Sequence, residues 1–332
     1  MPALRTPPRE PALPTSTRRP ARRARAHVLA AAALAASVVA LAGCAGSNPL
    51  APETGGTGDG GATTDTIVVG SAAFPEAEIL AYVYADGLKA AGFDVDVKPS
   101  IGARDAYIAA LQDGSIDLVP EYTGNLLQYF DAQATAQSPD DVLAALQKAV
   151  PDGFEVLDPA EAQDADSYNV TKAFSQQYGV TSLADLAKVP VPISVAANPE
   201  FAERPYGIPG LKSVYGVDAT LVPINDGGGP NTLAALLDGT VQLADIYSTT
   251  PSIAENDLVT LEDPEHMILA QNVIPLIATK SASDEVVKVL NAIQAKLTTA
   301  ELIAMNTRSS GDEKASSQRI ADDWLAANGF AG

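Results

Sequence analysis

The sequence predicts an α/β protein made of two similar units that face one cleft, and three observations carry this: an internal repeat, an alternation of strand and helix patterns, and enough chain for two cores. Residues 109–123 recur without a gap as residues 234–248, and seven of the pairs are identical: Ala109/Ala234, Ala110/Ala235, Leu111/Leu236, Asp113/Asp238, Gly114/Gly239, Leu118/Leu243 and Tyr122/Tyr247. Each copy opens on an Ala/Leu-spaced helix and closes it on Asp-Gly, where glycine accepts the left-handed backbone that ends a helix. A short apolar run of strand length follows, at 116–119 and at 241–244, and then a tyrosine with a hydroxyl residue behind it. In open α/β sheets ligands sit beyond the carboxyl ends of the strands. Two such units would present Tyr122 and Tyr247 at matching edges.

The elements follow in order. Thr66-Ile-Val-Val-Gly70 reads as a strand, residues 77–91 as a helix with apolar residues at helical spacing, and residues 93–97 as an alternating strand. Residues 104–112 form the first repeat helix, so the opening pattern is β-α-β-α-β, which implies a mostly parallel sheet covered on both faces. A further helix starts after Ser138, with Ser138 as cap and Pro139 at the first helical position. The second unit begins near 169 with a helix to Tyr178, a capped helix at Ser182, a strand at 193–196, a helix at 210–215 and a strand at 220–224. The repeat helix and its strand to Tyr247 come next. Residues 273–278 give one more strand, and residues 284–328 two or three helices that return to complete the first unit.

The amino end has a different character. Arg18, Arg19, Arg22, Arg23 and Arg25 precede an apolar stretch at 28–42 that ends Leu41-Ala42-Gly43-Cys44. Charged, apolar and small-residue segments in that order are a secretory leader, and the apolar part is too short for a spanning helix. The stretch after Cys44 is rich in Gly, Ser, Thr and Pro, the composition of a flexible tether. Residues 1–43 carry seven arginines against one acid, so the whole-chain net charge of −20 conceals a formal −26 in the remainder. Such a surface repels nucleic acid and attracts cations. Only Arg104, Arg204, Arg308 and Arg319 remain after the leader.

Missing residues narrow the chemistry further. Beyond the leader His266 is the sole histidine, in a loop-like setting, which argues against a Ser/His/Asp centre. No Cys/His pattern has zinc spacing, no calcium loop is present, and Gly227-Gly-Gly229 lacks the Lys-Ser/Thr of a phosphate loop, so no cofactor or metal is expected. Carboxylates are too many, 41 in all, for any pair to stand out.

Three segments carry a family resemblance. Thr66-Ile-Val-Val-Gly-Ser71 with Phe74, Gly114-Ser-Ile-Asp-Leu-Val-Pro-Glu-Tyr-Thr-Gly124, and Asp245-Ile-Tyr-Ser-Thr249 resemble the quaternary-amine group of ABC-transporter substrate-binding proteins, those for glycine betaine, choline and related osmolytes. The leader likewise resembles the bacterial lipoprotein signal, which implies that Cys44 carries the lipid. The resemblance implies a two-lobed periplasmic-binding-protein fold of type II, each lobe a mostly parallel sheet flanked by helices. The division is then a signal peptide at 1–43, a tether at 44–65, lobe 1 at 66–168 plus 270–332, and lobe 2 at 169–269. Crossovers are expected near 168–171 and 266–272.

The resemblance also implies a site. A trimethylammonium group has no N–H to donate, so electron-rich ring faces are its suitable partner. Tyr122, Tyr247 and Tyr168 match aromatic positions of the family's cage. Arg204 matches the arginine used for a ligand carboxylate, a role suited to a planar bidentate donor. Ser71 and Asn125 fall at further ligand positions, though with residues other than the usual ones. Gln271, in Ala270-Gln-Asn272, stands where betaine binders often carry a tyrosine, and losing one desolvated cation–π contact costs roughly 0.5 to 2 kcal/mol. The implied protein is a monomeric, lipid-anchored receptor on the outer face of the bacterial plasma membrane. It hands a quaternary ammonium or zwitterionic osmolyte to ABC permease and ATPase subunits and does no chemistry on it. A ligand sensor, or an extracytoplasmic enzyme on the same scaffold, remains open at this point.

Overall fold

A computed structural model describes residues 66–330. The expected signal peptide, Cys44 and the tether lie outside the described residues. The chain forms β1 (Ile67–Ala72), α1 (Pro75–Ala90), β2 (Val95–Gly102), α2 (Arg104–Gln112), β3 (Leu118–Tyr122), α3 (Thr123–Phe130), α4 (Pro139–Ala149) and β4 (Phe154–Val156). It continues through β5 (Tyr168–Val170), α5 (Lys172–Tyr178), β6 (Ile193–Ala197), α6 (Ile208–Tyr215), β7 (Ala219–Pro223), α7 (Pro230–Leu237), β8 (Leu243–Asp245), α8 (Ser252–Glu255) and β9 (Val259–Thr260). It ends with β10 (Val273–Ala278), α9 (Asp284–Gln294), α10 (Thr299–Ser310) and α11 (Ser317–Ala327). Ser138 caps α4 as expected, accepting from the Asp141 amide.

Two five-stranded sheets result, in the orders β2-β1-β3-β10-β4 and β7-β6-β8-β5-β9. They share one plan. In each, three strands run parallel, with Val69 of β1 opposite Leu118 of β3 and Val195 of β6 opposite Leu243 of β8. Leu118 and Leu243 are an identical pair of the sequence repeat, so the repeat is structural. Its details agree as well: Gly114 and Gly239 have φ of +78° and +79°, and Ser115 and Thr240 each donate their amide to the preceding aspartate at 2.8 Å. The strands begin two residues later than the apolar runs suggest. Ile116 and Val241 still belong to the turn, because their amides bond back to Ala110 and Ala235 in the helix.

One strand of each sheet, β10 or β5, runs against the other four and makes the sheet mixed, while β4 and β9 pair antiparallel with it and so point the same way as the three parallel strands. The reason is connectivity. β10 arrives from the second sheet and β5 from the first, so each enters at the carboxyl edge of a parallel strand and must run away from it, against β3 and β8 respectively. The first crossing comes earlier than 168–171. Tyr168 and Asn169 are already paired with Asp245 and Ala244 inside the second sheet, and the chain crosses before them.

The two crossings lie side by side. Ala160 N–H donates to Val273 C=O at 2.8 Å, Val273 N–H to Ala162 C=O at 2.9 Å, and Asp164 N–H to Gln271 C=O at 3.1 Å. Gln163 and Asn272 form an antiparallel bridge within this seam. The carboxy-terminal helices return to the first half, where Ile293, Trp324 and Leu325 share a core with Tyr84 and Leu88 of α1. Gln294 ties them to the seam, accepting from Tyr84 Oη and donating to Val273 C=O.

The start of α3 packs straight onto the second crossing. Thr123 Oγ1 donates to Ala270 C=O, and a Cβ at Gly124 would lie 2.6 Å from Leu269 Cβ and 2.7 Å from the Ala270 oxygen. Overpacking of this kind costs about 1–3 kcal/mol. Gly124→Ala is therefore expected to lower stability by that amount in urea unfolding, and an unchanged midpoint would show that the crossing yields freely.

Candidate functional site

A cleft opens between the carboxyl edges of the two sets of parallel strands, where ligands of such sheets bind. Tyr122, the last residue of β3, lines it from the first half, and Tyr247, just beyond β8, lines it from the second. Phe74, at the cap of α1, lies between them. Its ring centroid is 6.2 Å from Tyr122 at 30° and 5.2 Å from Tyr247 at 64°. In the sequence Phe74 stands at the end of the first family segment, where no local signal marks it as a cleft residue. The triglycine run makes room for it: Gly227 has φ of +63°, and a Cβ there would lie 3.1 Å from Phe74 Cβ.

The phenols are fixed from behind. Tyr122 Oη donates to Glu76 Oε1 at 2.7 Å, while Glu76 Oε2 accepts from Thr249 Oγ1 and from Asn306 Nδ2 of α10. Glu76 sits in the first turn of α1, where the helix dipole favours negative charge. Asn198 Nδ2 donates to Tyr247 Oη at 3.3 Å. Burial, reinforced at Tyr122 by Glu76 and at Tyr247 by Asp166, pushes both phenols well above their ordinary range and keeps them neutral.

The remaining site expectations land in different places. Asn125 and Arg204 line the cleft; Tyr168, Gln271 and Ser71 do not. Tyr168 is buried in the second core, donates Oη to Tyr206 C=O at 2.8 Å and packs 5.6 Å from Phe201. Gln271 is fully buried and grips Asn125, donating to its Oδ1 at 2.6 Å and accepting from its amide at 3.0 Å. Asn125 in turn donates to Asp166 Oδ2 at 2.6 Å, so Gln271 acts on the cleft only through Asn125. Ser71 is also fully buried and accepts from the Ser100 amide. His266 is exposed in a turn and does not line the cleft.

Two arginines reach the cleft, and both have partners. Arg104 Nε and Nη2 bind Glu121 bidentately at 2.8 and 3.0 Å, and Glu121 also accepts from Tyr107 Oη and the Tyr122 amide. Burial is the largest single influence on Arg104 and pulls its pKa down, but the charge and hydrogen bonds of Glu121 together with Tyr107 and Tyr206 outweigh it and the guanidinium stays charged. Arg204 extends from the second half to the first, where Nη2 donates to Asp105 at 3.1 Å and the guanidinium lies 5.5 Å from the centroid of the Tyr129 ring. Its Nε is buried without a hydrogen-bond partner. Three buried carboxyls, Asp164, Asp166 and Asp245, complete the floor. Sequence reasoning missed them because only burial separates them from the chain's other acids.

The fold and the cleft together define a substrate-binding protein of the type II periplasmic-binding architecture. The chain belongs to the family described as the substrate binding domain of ABC-type glycine betaine transport systems (OpuAC), whose model matches residues 65–327. It is 27% identical over 278 residues to the glycine-betaine-binding protein of Pseudomonas aeruginosa PAO1, covering 80% of this chain and 88% of that one. Among solved structures it resembles a glycine betaine/carnitine/choline ABC transporter protein, with TM-score 0.63, 20% identity, and coverage of 80% of this chain and 100% of that one. Lactococcal OpuAC, solved closed with glycine betaine, superposes with TM-score 0.57 at 14% identity, covering 80% of this chain and 99% of that one. These structural likenesses establish the fold.

Removing one partner of a buried ion pair leaves an uncompensated charge and costs about 3–5 kcal/mol. Glu121→Ala is expected to destabilise the protein by that amount in urea unfolding, while Arg104→Met with Glu121→Leu recovers much of it. Equal loss in the single and double variants would show that packing, rather than charge pairing, holds this wall.

Proposed function

We propose that this protein is the extracytoplasmic receptor of an ABC importer and that it closes around a small quaternary ammonium or related zwitterion without altering it. The observation that supports this most is the meeting of Phe74, Tyr122 and Tyr247, drawn from both halves, at the carboxyl edges of both sheets. Ring faces attract a cation that offers no N–H, by about 0.5–1 kcal/mol when exposed and about 2 or more when desolvated. Phe74 joins the two tyrosines as a third wall. Arg204 serves closure by reaching Asp105 and Tyr129 in the other half. Ligand that binds the closed form better populates it, and the seam is the element about which the halves turn.

Delivery to a permease and its ATPase follows from the family. No described helix is long and apolar enough to cross a membrane. Attachment to the outer face of the plasma membrane is assigned to a lipid on Cys44, after removal of residues 1–43, because the leader ending Leu41-Ala42-Gly43-Cys44 resembles a lipoprotein signal. The receptor acts as a monomer. The family's role in transport speaks against catalysis.

Replacing Tyr122 or Tyr247 by alanine is expected to weaken choline or glycine betaine binding about thirtyfold, given about 2 kcal/mol per desolvated ring. Phenylalanine at either position would retain most of the affinity, because it keeps the ring. Titration calorimetry measures both. Undiminished binding by the alanine variants would remove the aromatic site from this reading.

A further inference from the structure

The charges of the cleft do not match a zwitterion. Both arginines that reach it are already engaged, Arg104 with Glu121 and Arg204 with Asp105. Among the described residues that line the cleft none is a lysine. The acids of the floor, by contrast, have no cation of their own. Asp164 accepts from the Thr249 amide and Ser248 Oγ, Asp166 from Asn125 Nδ2, and Asp245 from the Ser167 amide. Asp166 and Asp245 lie together in this floor, both buried and both lining the cleft.

We infer that the cleft selects a net cation that carries a hydrogen-bond donor besides its quaternary nitrogen, an amino alcohol of the choline type, over a zwitterionic betaine, with Asp166 and Asp245 as specificity-determining residues. This rests on the aromatic reading of the same cleft: the rings take the trimethylammonium end, and the carboxyls take its charge and the hydroxyl. A ligand carboxylate would meet three carboxyls on this floor and no cation that is free of an acid partner. Among the described residues the fully buried side-chain donor left without a partner is Arg204 Nε, on a guanidinium already bound to Asp105.

The inference has a proton signature. Facing the floor are Glu76 from α1, Arg104 from α2, Tyr122 from β3, Tyr168 from β5, Tyr206 and Tyr247, with Arg204 beyond Tyr206. Burial raises the pKa of all three acids. Glu76 raises Asp164 further, Asp166 raises Asp245 further, and Asn125 and Arg104 offset part of the rise at Asp166. The ligand-free floor therefore holds protons above the ordinary carboxylate range. A bound cation favours the charged forms, so binding releases protons and affinity climbs with pH until the free floor is ionised. A betaine whose carboxylate accepted from a protonated Asp166 or Asp245 would do the reverse, tightening toward acid and taking protons up.

The test is calorimetric titration of the full-length protein with choline, glycine betaine and tetramethylammonium, between about pH 5 and 8 and in buffers of differing ionisation heat. Choline is expected to bind at least about tenfold more tightly than either comparator, a difference of about 1.4 kcal/mol. Its affinity should rise with pH toward a limit of about tenfold per unit for each proton released. Asp166→Asn, confirmed as folded by its melting curve, should flatten that slope and bring choline down to the tetramethylammonium level. Asp245→Asn is the second variant, and the proton count of the unmodified protein decides if neither folds. Glycine betaine binding as tightly as choline, or affinity that falls with pH, overturns the inference and leaves the aromatic reading in place. No binding of any of the three overturns both.

Discussion

The antiparallel seam of the two crossings is the constraint on which the rest of the molecule depends. Few hydrogen bonds join it, yet it fixes how the two sheets face each other. Asp164 and Gln271 meet there through their backbones, and the residues that follow, Asp166 two positions on and Asn272 one position on, lead into the cleft floor and into β10. Because each crossing enters the other half at the carboxyl edge of its parallel strands, the antiparallel neighbours β10 and β5 follow, and so does the position of the cleft. A ligand that bridges the halves therefore binds beside the seam that joins them.

Buried charge is the second organising theme. Glu121 and Glu76 are both deeply buried, and each is fully occupied, the first by Arg104, Tyr107 and the Tyr122 amide, the second by Tyr122, Thr249 and Asn306. Well-satisfied buried ions hold a geometry more than they add stability. Here the geometry they hold is that of Tyr122, which is gripped at its amide by one glutamate and at its hydroxyl by the other. Asp164, Asp166 and Asp245 differ. They have few donors and no paired cation, and an incompletely satisfied polar group is costly unless something arrives to satisfy it.

Much of this was legible in the sequence wherever the signal is local. The Asp-Gly helix ends, the capping Ser138 and the paired Leu118 and Leu243 could be read because backbone preference and short periodicity set them. β4, β5 and β9 were not legible: strands of two or three residues exist only because a partner from a distant part of the chain pairs with them. The same distinction divides the site. Tyr122 and Tyr247 were visible through the repeat, whereas Phe74 shows its part only once Gly227 is seen to yield space for it. Gln271 reads as a substituted cage wall in the sequence; in the structure it lies behind the wall and orients Asn125. Asp166 and Asp245 are two of many acids until burial separates them.

The most direct test of the cleft as the ligand site is a crystal structure of the protein with choline bound. The ammonium nitrogen is expected within about 6 Å of the Tyr122 and Tyr247 ring centroids, with the hydroxyl toward Asp166 and the Arg204–Asp105 contact intact. Ligand density outside the cleft, or an ammonium group turned away from all three rings, would contradict the assignment.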